Sequence, residues 1–472
     1  MQRTALVAGS GPNGLAAAIR LAQAGVDVTV REAAMVAGGA TRSDELTLPG
    51  FTHDLGSAVH PMAVSSPFFS TLNLQQHGLE WIWPKAELAH PFDDGTAVLI
   101  ERDITRTAAQ FGSDAQPYRA MFEPLSENWP TLVKELLKPL GLTMHPLLMA
   151  KFGMKAVQPA ARLTRTHFST ERARTVFAGL AAHSTLPLEE PISSAFGLVL
   201  GAIAHAVGWP VPKGGSQRIA SALESVLRTL GGRVVTNDRV TSLSAKSGND
   251  VTLCDFTPRQ FLELSSSRLP KEFRRRMEGF RYGPGVYKVD WALREPIPWK
   301  AKECLRAATV HLGGTYAEIC ESEAAVNHGR LTAKPFVLLA QPSLFDNTRA
   351  PAGYHTAWAY CHVPNGFRGS ALEQIQGQIE RFAPGFRDCV LARSELSVTD
   401  MQKWNENLIG GDINGGAVDW RQFFFRPTRM QYRTPIPGVF FCSSSTPPGG
   451  SVHGMCGYWA AQAALRYLKI GR

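Results

Sequence analysis

Near the start, Gly9-Ser10-Gly11-Pro12-Asn13-Gly14 lies between a short apolar run, Thr4 to Ala8, and a helical stretch, Leu15 to Ala24. Gly9 permits a tight turn, Gly11 lets backbone N–H groups approach a pyrophosphate, and Gly14 lets the helix pack close on the strand. A second strand, Asp27 to Arg31, follows the helix. Glu32 closes that strand about twenty residues past the turn, where an adenosine ribose presents its hydroxyls. Strand, glycine turn, helix, strand and acid together predict a dinucleotide site that also uses Pro12 and Asn13. Beyond Glu32, Gly38-Gly39-Ala40-Thr41-Arg42 forms a second small-residue turn with a hydroxyl and a guanidinium. Contacts from Gly39, Ala40, Thr41 and Arg42 suit a longer, bent cofactor, FAD rather than NAD. At the other end, the apolar strand Val439 to Cys442 runs through Ser443-Ser444-Ser445-Thr446-Pro447-Pro448-Gly449-Gly450-Ser451-Val452-His453-Gly454 into a helix from Tyr458 to Leu468. That helix N-terminus is also aimed at something anionic.

A chain of 472 residues, 44% hydrophobic, can bury a large core and is too long for one compact domain. The net charge of +9 is spread along the chain. Its densest run, Lys271 to Arg276, lacks the interleaved aromatics of a nucleic-acid surface, so nucleic acid is not the expected partner. Mild basicity favours an anionic cofactor or a peripheral contact with anionic lipid. Seven cysteines form no C-x-x-C pair and no zinc spacing, which argues against a disulfide framework, a metal site and disulfide-reductase chemistry. A reducing, cytoplasmic compartment is expected, with membrane association at most peripheral. The first residues read as fold rather than signal peptide, and Ile192 to Trp209 as a buried helix rather than a membrane span.

Further segments carry a resemblance to a family: Phe51-Thr52-His53-Asp54-Leu55-Gly56 with His60-Pro61, Pro212-Lys213-Gly214-Gly215, Asp255 to Pro258, Gly410-Gly411-Asp412-Ile413, and Tyr432 to Ala461. With the front fingerprint they make the chain resemble the phytoene desaturase-like flavoproteins, within the wider group that includes amine oxidases. In detail the likeness is to a bacterial branch related to the mitochondrial pyridine nucleotide-disulfide oxidoreductase domain-containing protein. The resemblance implies an α/β fold: a Rossmann-like FAD-binding domain (1–63, 207–280 and 407–472) interleaved with an α+β substrate-binding domain (64–206 and 281–406). It further implies cofactor contacts from Gly56, Ser57, Val240, Thr257 and Pro258. It also places Ser444, Gly450, Val452, His453 and Gly454 at the flavin end, where the helix dipole favours negative charge on reduction.

Helices are expected in 64–206 and strands in the second block, with Tyr287, Asp290, Trp291, His311, Trp358, Tyr360 and His362 alternating between pocket and core. Val234, Val235 and Val240 read as strand. Apolar spacing from Leu132 to Phe152 is broken by Pro139, Gly141 and Pro146; in membrane-associated relatives this region guides a lipid substrate. The expected activity is dehydrogenation of a lipophilic small molecule by hydride transfer to flavin N5, with His60, His453 and Asp290 as candidate proton handlers. No second fingerprint occurs, so oxygen or a quinone is the expected electron acceptor. Amine oxidation, a redox-neutral isomerase and a flavin-binding partner protein remain as alternatives, and the chain is expected as monomer or homodimer.

Overall fold

A computed structural model describes residues 2–243, 248–265, 269–423 and 425–470. Thr4–Ala8 is apolar and almost wholly buried, and takes the centre of a five-stranded, all-parallel sheet. The order is Val439–Phe441, Val251–Cys254, Thr4–Ala8, Asp27–Arg31, Arg233–Val235. These strands come from three distant stretches of chain. Parallel sheets need crossovers on their faces, and the helix Pro12–Ala22 supplies the first. Pro12 at its first position has no N–H to leave unpaired, and its alanines keep the helix thin. Against it packs the helix Met455–Leu468, so closely that a Cβ on Gly457 would lie 1.8 Å from the Asn13 carbonyl oxygen.

The second sheet has seven strands in the order Val390–Leu396, Gly285–Leu293, His355–Val363, Val337–Ala340, Ala307–Leu312, Ala86–Pro91, Ala97–Ile100. It is antiparallel except where Ala307–Leu312 meets Ala86–Pro91. The strand period of two sorts its central member into two faces. Tyr287, Val289, Trp291 and Leu293 enter an apolar cluster with Ile375, Ile379 and Phe382 of the helix Leu372–Phe382. Val286, Lys288 and Asp290 point to the opposite face. Above that face, helices from 115 to 206 form a cap, in which Ser193–Ala206 is buried against Phe122 and Phe177 through Gly201 and Gly197. No helix among the described residues is long and apolar enough to cross a membrane.

Two expectations of local structure need correction. The first block of the cap region is not purely helical: Ala86–Pro91 and Ala97–Ile100 form a hairpin that extends the large sheet. Its Asp94-Gly95 turn, with Gly95 at φ +80°, reverses the chain there. Val240 lies outside any strand, because Asp238 turns back to accept from the Arg31 guanidinium at 2.5 and 2.7 Å.

Candidate functional site

One cavity of about 1150 Å³ runs between the two sheets. Its first limb is made of backbone. Gly9, at φ +102°, turns the chain at the end of the first strand. A Cβ on Gly14 would stand 2.2 Å from the Gly9 oxygen, one on Gly39 2.9 Å from Gly11 Cα, and one on Gly56 2.1 Å from the Ala40 oxygen. Three strands of chain thus meet at a separation that only glycine allows, leaving a cradle beside a helix N-terminus. Glu32 lines it, with Oε2 accepting from Ser10 N at 2.8 Å and Oε1 from Ala34 N at 2.8 Å. Oε2 also accepts from Ser10 Oγ at 2.5 Å, so of the carboxylate's roughly four lone-pair sites one on Oε1 is left for a ribose hydroxyl. Behind the turn, Asp255 accepts from Gly14 N at 2.9 Å, and burial lifts its pKa to about 7. Arg42 lies over the Trp404 ring and donates to the Gly39 and Trp404 carbonyls.

The C-terminal loop walls the middle of the cavity through Ser444 and the run Pro447 to Val452. Beside it sits Arg426, 2% exposed, donating through Nη2 to the Asn414 and Ser444 carbonyls while Nε and Nη1 have no partner among the described residues. Asp412 is near enough to offset part of its charge, but open N–H groups on a buried guanidinium lining a cavity fit an electron-rich ligand. With Asn13 Oδ1, a buried acceptor that also lacks a partner among the described residues, it makes a set of donors and an acceptor that suits a flavin dinucleotide.

The second limb is built from side chains. The sheet face opposite the apolar cluster places Val286 across from His362, Lys288 from Tyr360, and Asp290 from Trp358. Lys288, 2% exposed, pairs with Asp290 and lies 5.6 Å from the Trp358 ring centroid. Burial raises the Asp290 pKa to about 6 although Lys288 opposes it. Burial and the Lys288 charge together lower that of His53, 3.6 Å from Asp290, to about 3. Below this group Arg349 is fully buried between Asp54, at 2.6 Å, and Asp346, at 3.1 Å. Burial works against the Asp54 charge, but the guanidinium wins and holds its pKa down to about 2. Asp54 Oδ1 also accepts from Ser43 Oγ and Ser216 N, which fixes the segment carrying Gly56 and Ser57. The limb ends among Leu137, Met149, Phe152, Phe196 and Val199, under a loop that joins the helices Trp129–Leu136 and Pro146–Ala156. That loop holds the expected breakers Pro139 and Gly141, and Pro146 starts the next helix. Leu140, Leu142, Met144 and Leu147 stand in solvent around it, Leu142 at 96% exposure, with Met154 and Val157 at the far end of the next helix.

Most of the expected cofactor residues line this cavity: Gly9, Gly11, Pro12, Asn13, Glu32, Gly39, Ala40, Thr41, Arg42, Gly56, Ser57, Val240, Ser444, Gly450 and Val452. Gly14, Thr257, Pro258, His453 and Gly454 lie outside the lining. Thr257 and Pro258 start the helix Pro258–Leu264 through a capping box with Gln260. His453 Nδ1 accepts from Met455 N at 3.0 Å, and burial lowers its pKa to about 4. Asp290 is buried behind Lys288, outside the lining. His60 faces the cavity. Ser216 Oγ spends its proton on the Ser57 carbonyl, so His60 Nε2 donates to Ser216 Oγ at 2.8 Å. Burial lowers the His60 pKa to about 4. Sequence reading passed over Lys288, although it lies two positions from Asp290 and so on the same face. Arg426 and Arg349 gave no local signal.

A parallel sheet with a glycine cradle, closed by a second glycine-rich helix start and joined to a large antiparallel sheet, defines a flavin-dependent oxidoreductase. The family model for flavin containing amine oxidoreductase matches residues 13–268, more than half of the chain, and the chain belongs to that family. Its cofactor is FAD. The chain is 27% identical to pyridine nucleotide-disulfide oxidoreductase domain-containing protein 2 of Mus musculus, over 98% of this chain and 94% of that protein. It is 23% identical to the lycopene-forming phytoene desaturase of Pantoea ananas, over 97% and 98%. An oxidoreductase structure from Methanosarcina mazei shares the fold with a TM-score of 0.66 at 16% identity, covering 98% of this chain and 100% of that one. Putrescine oxidase bound to putrescine does so with 0.62 at 17%, covering 99% of each. All seven cysteines are free thiols, six of them buried.

Proposed function

We propose that the protein dehydrogenates a lipophilic small molecule held in the side-chain limb of the cavity. The observation that carries this reading is continuity: the same cavity that begins at Glu32 and the glycine cradle ends among apolar side chains below the exposed loop. Bound FAD supplies a two-electron acceptor for hydride. The chain's own part is binding and exclusion of water. Glu32 would take a ribose hydroxyl, the N–H groups around Gly11 would hold the pyrophosphate, and Arg426 with the Gly449–Val452 backbone would hold the flavin end. Lys288 and neutral His60 border the reacting region, and the His60 Nδ1 lone pair is placed to accept a proton. The electron acceptor that completes the balance would be oxygen or a quinone. We assign residues 1–63, 207–280 and 407–472 to the FAD-binding unit and 64–206 and 281–406 to the substrate-binding unit.

Access fits a membrane surface. Exposed Leu142, Met144 and Leu147 are accompanied by Lys134, Lys151 and Lys155, an apolar surface with cationic neighbours that suits anionic lipid. The loop is anchored inward, since Trp459 Nε1 donates to the Leu137 carbonyl at 2.9 Å. Anaerobic bleaching of the holoprotein with lipid extracts and with a panel of amines, followed by mass analysis of the product, tests the reading. Bleaching by amines alone would replace it with amine oxidation, and bleaching by neither would leave a redox-neutral role.

A further inference from the structure

The polar groups of the side-chain limb have defined protonation patterns. His362 is 2% exposed, lines the cavity, and holds its Nδ1 2.8 Å from Oε2 of Glu323, which is fully buried on the helix Tyr316–Asn327. A carboxylate only accepts, so Nδ1 carries the proton, and in that tautomer Nε2 is a lone pair. That Nε2 has no protein partner among the described residues. His183, at the end of the helix Glu171–Ala182, also lines the cavity and holds its Nε2 3.0 Å from Nε2 of fully buried His311. One proton is shared between those two nitrogens. His311 Nδ1 is buried without a partner among the described residues, and a Cβ on Gly179 would lie 2.9 Å from it. A bare lone pair tolerates that place better than an N–H does. His311 therefore donates from Nε2, and His183 keeps its own proton on Nδ1. Burial lowers the His183 pKa to about 3, so the ring is neutral at pH 7. Trp209 and Tyr360 flank the pair with ring centroids 6.1 Å from His183 and 5.8 Å from His362.

The wall thus offers one N–H donor and one lone pair, both in reach of the apolar limb. A hydrocarbon satisfies neither. An ammonium ion brings only donors and meets Lys288 in the next row, and a carboxylate brings only acceptors. A hydroxyl brings both. We infer that the substrate is an apolar molecule carrying a hydroxyl, which donates to His362 Nε2 and accepts from His183 Nδ1. This rests on the lipophilic reading of the cavity given above.

Titration of the holoprotein with decane, 1-decanol, decylamine and decanoate, followed by flavin absorbance and tryptophan fluorescence, tests it. Decanol is expected to bind about tenfold or more tighter than the other three. His362→Leu should remove that advantage, with a loss of stability because Glu323 loses its donor, and His362→Gln, which keeps a donor for Glu323 and an acceptor for the ligand, should restore part of both. Equal binding of decane and decanol by the unaltered protein overturns the inference and leaves the lipophilic reading standing. Tightest binding of decylamine or decanoate overturns it as well. Binding of none of the four overturns both.

Discussion

The two limbs of the cavity are built from different materials. The nucleotide limb is shaped by backbone at glycines, where any side chain would collide with a neighbouring main chain. The other limb is a face of a sheet, where Lys288, Tyr360, His362 and Trp358 project from strands that would pair equally well with other side chains. Backbone construction leaves a trace in composition and spacing, whereas a sheet face leaves only alternation. This is why the cofactor is legible and the substrate is not.

The contrast can be broken most severely where the limbs join. Arg349→Met leaves Asp54 and Asp346 buried without their cation and is expected to cost about 3–5 kcal/mol. Thermal denaturation should show it, and an unchanged midpoint would refute the joint. Next, Gly457→Ala forces a Cβ to within 1.8 Å of the Asn13 oxygen. A loss of about 1–3 kcal/mol and a fall in the ratio of flavin to protein absorbance should follow, and full flavin content would contradict the close-packing account.

A milder probe is acid. His60 and His453 titrate at about 4 in the folded chain against 6.5 unfolded. Between those values the unfolded chain binds more protons, so stability falls as pH drops, by up to about 1.4 kcal/mol per pH unit for each histidine. Asp54 is charged in the folded chain down to about 2, against 3.8 unfolded, and its contribution is lost only as pH falls from the upper value through the lower. Asp255 and Asp290, raised to about 7 and 6, bind protons in the folded chain and work the other way, so the check is a difference. Urea midpoints that fall between pH 6.5 and 4 as steeply in His60→Asn as in the unaltered protein would show that the His60 ring is not buried neutral. The smallest effect on stability, within about 0.5 kcal/mol, is expected for Leu142→Ser combined with Leu147→Ser. The same pair should abolish co-sedimentation with anionic vesicles, and retained binding would remove the surface from the proposal.

Reading the chain alone located Thr4 to Ala8, the glycine turn, Glu32 and the closing loop, because each depends on residues within a few positions of one another. Trp358, Tyr360 and His362 were visible as an alternating set. Glu323 was not, since its helix reaches His362 only after the sheet forms, and Arg349 is a surface-type residue by composition that becomes buried through Asp54, far away in the chain. The hairpin at 86–100 was missed because its strands are short and sit among helices. Val240 was read as a strand from its neighbours, and the Arg31 to Asp238 ion pair overrides that pattern.

The threading of the parallel sheet also sets an order in time. Val251–Cys254 gains its outer neighbour, Val439–Phe441, only when the last part of the chain has been made. Until then an apolar edge is open and the helix from Pro12 to Ala22 lacks the partner that covers it. Synthesis therefore passes through a long interval in which the cofactor cradle exists without its lid, a state prone to self-association. Free FAD can favour the finished fold only after the closing helix has emerged.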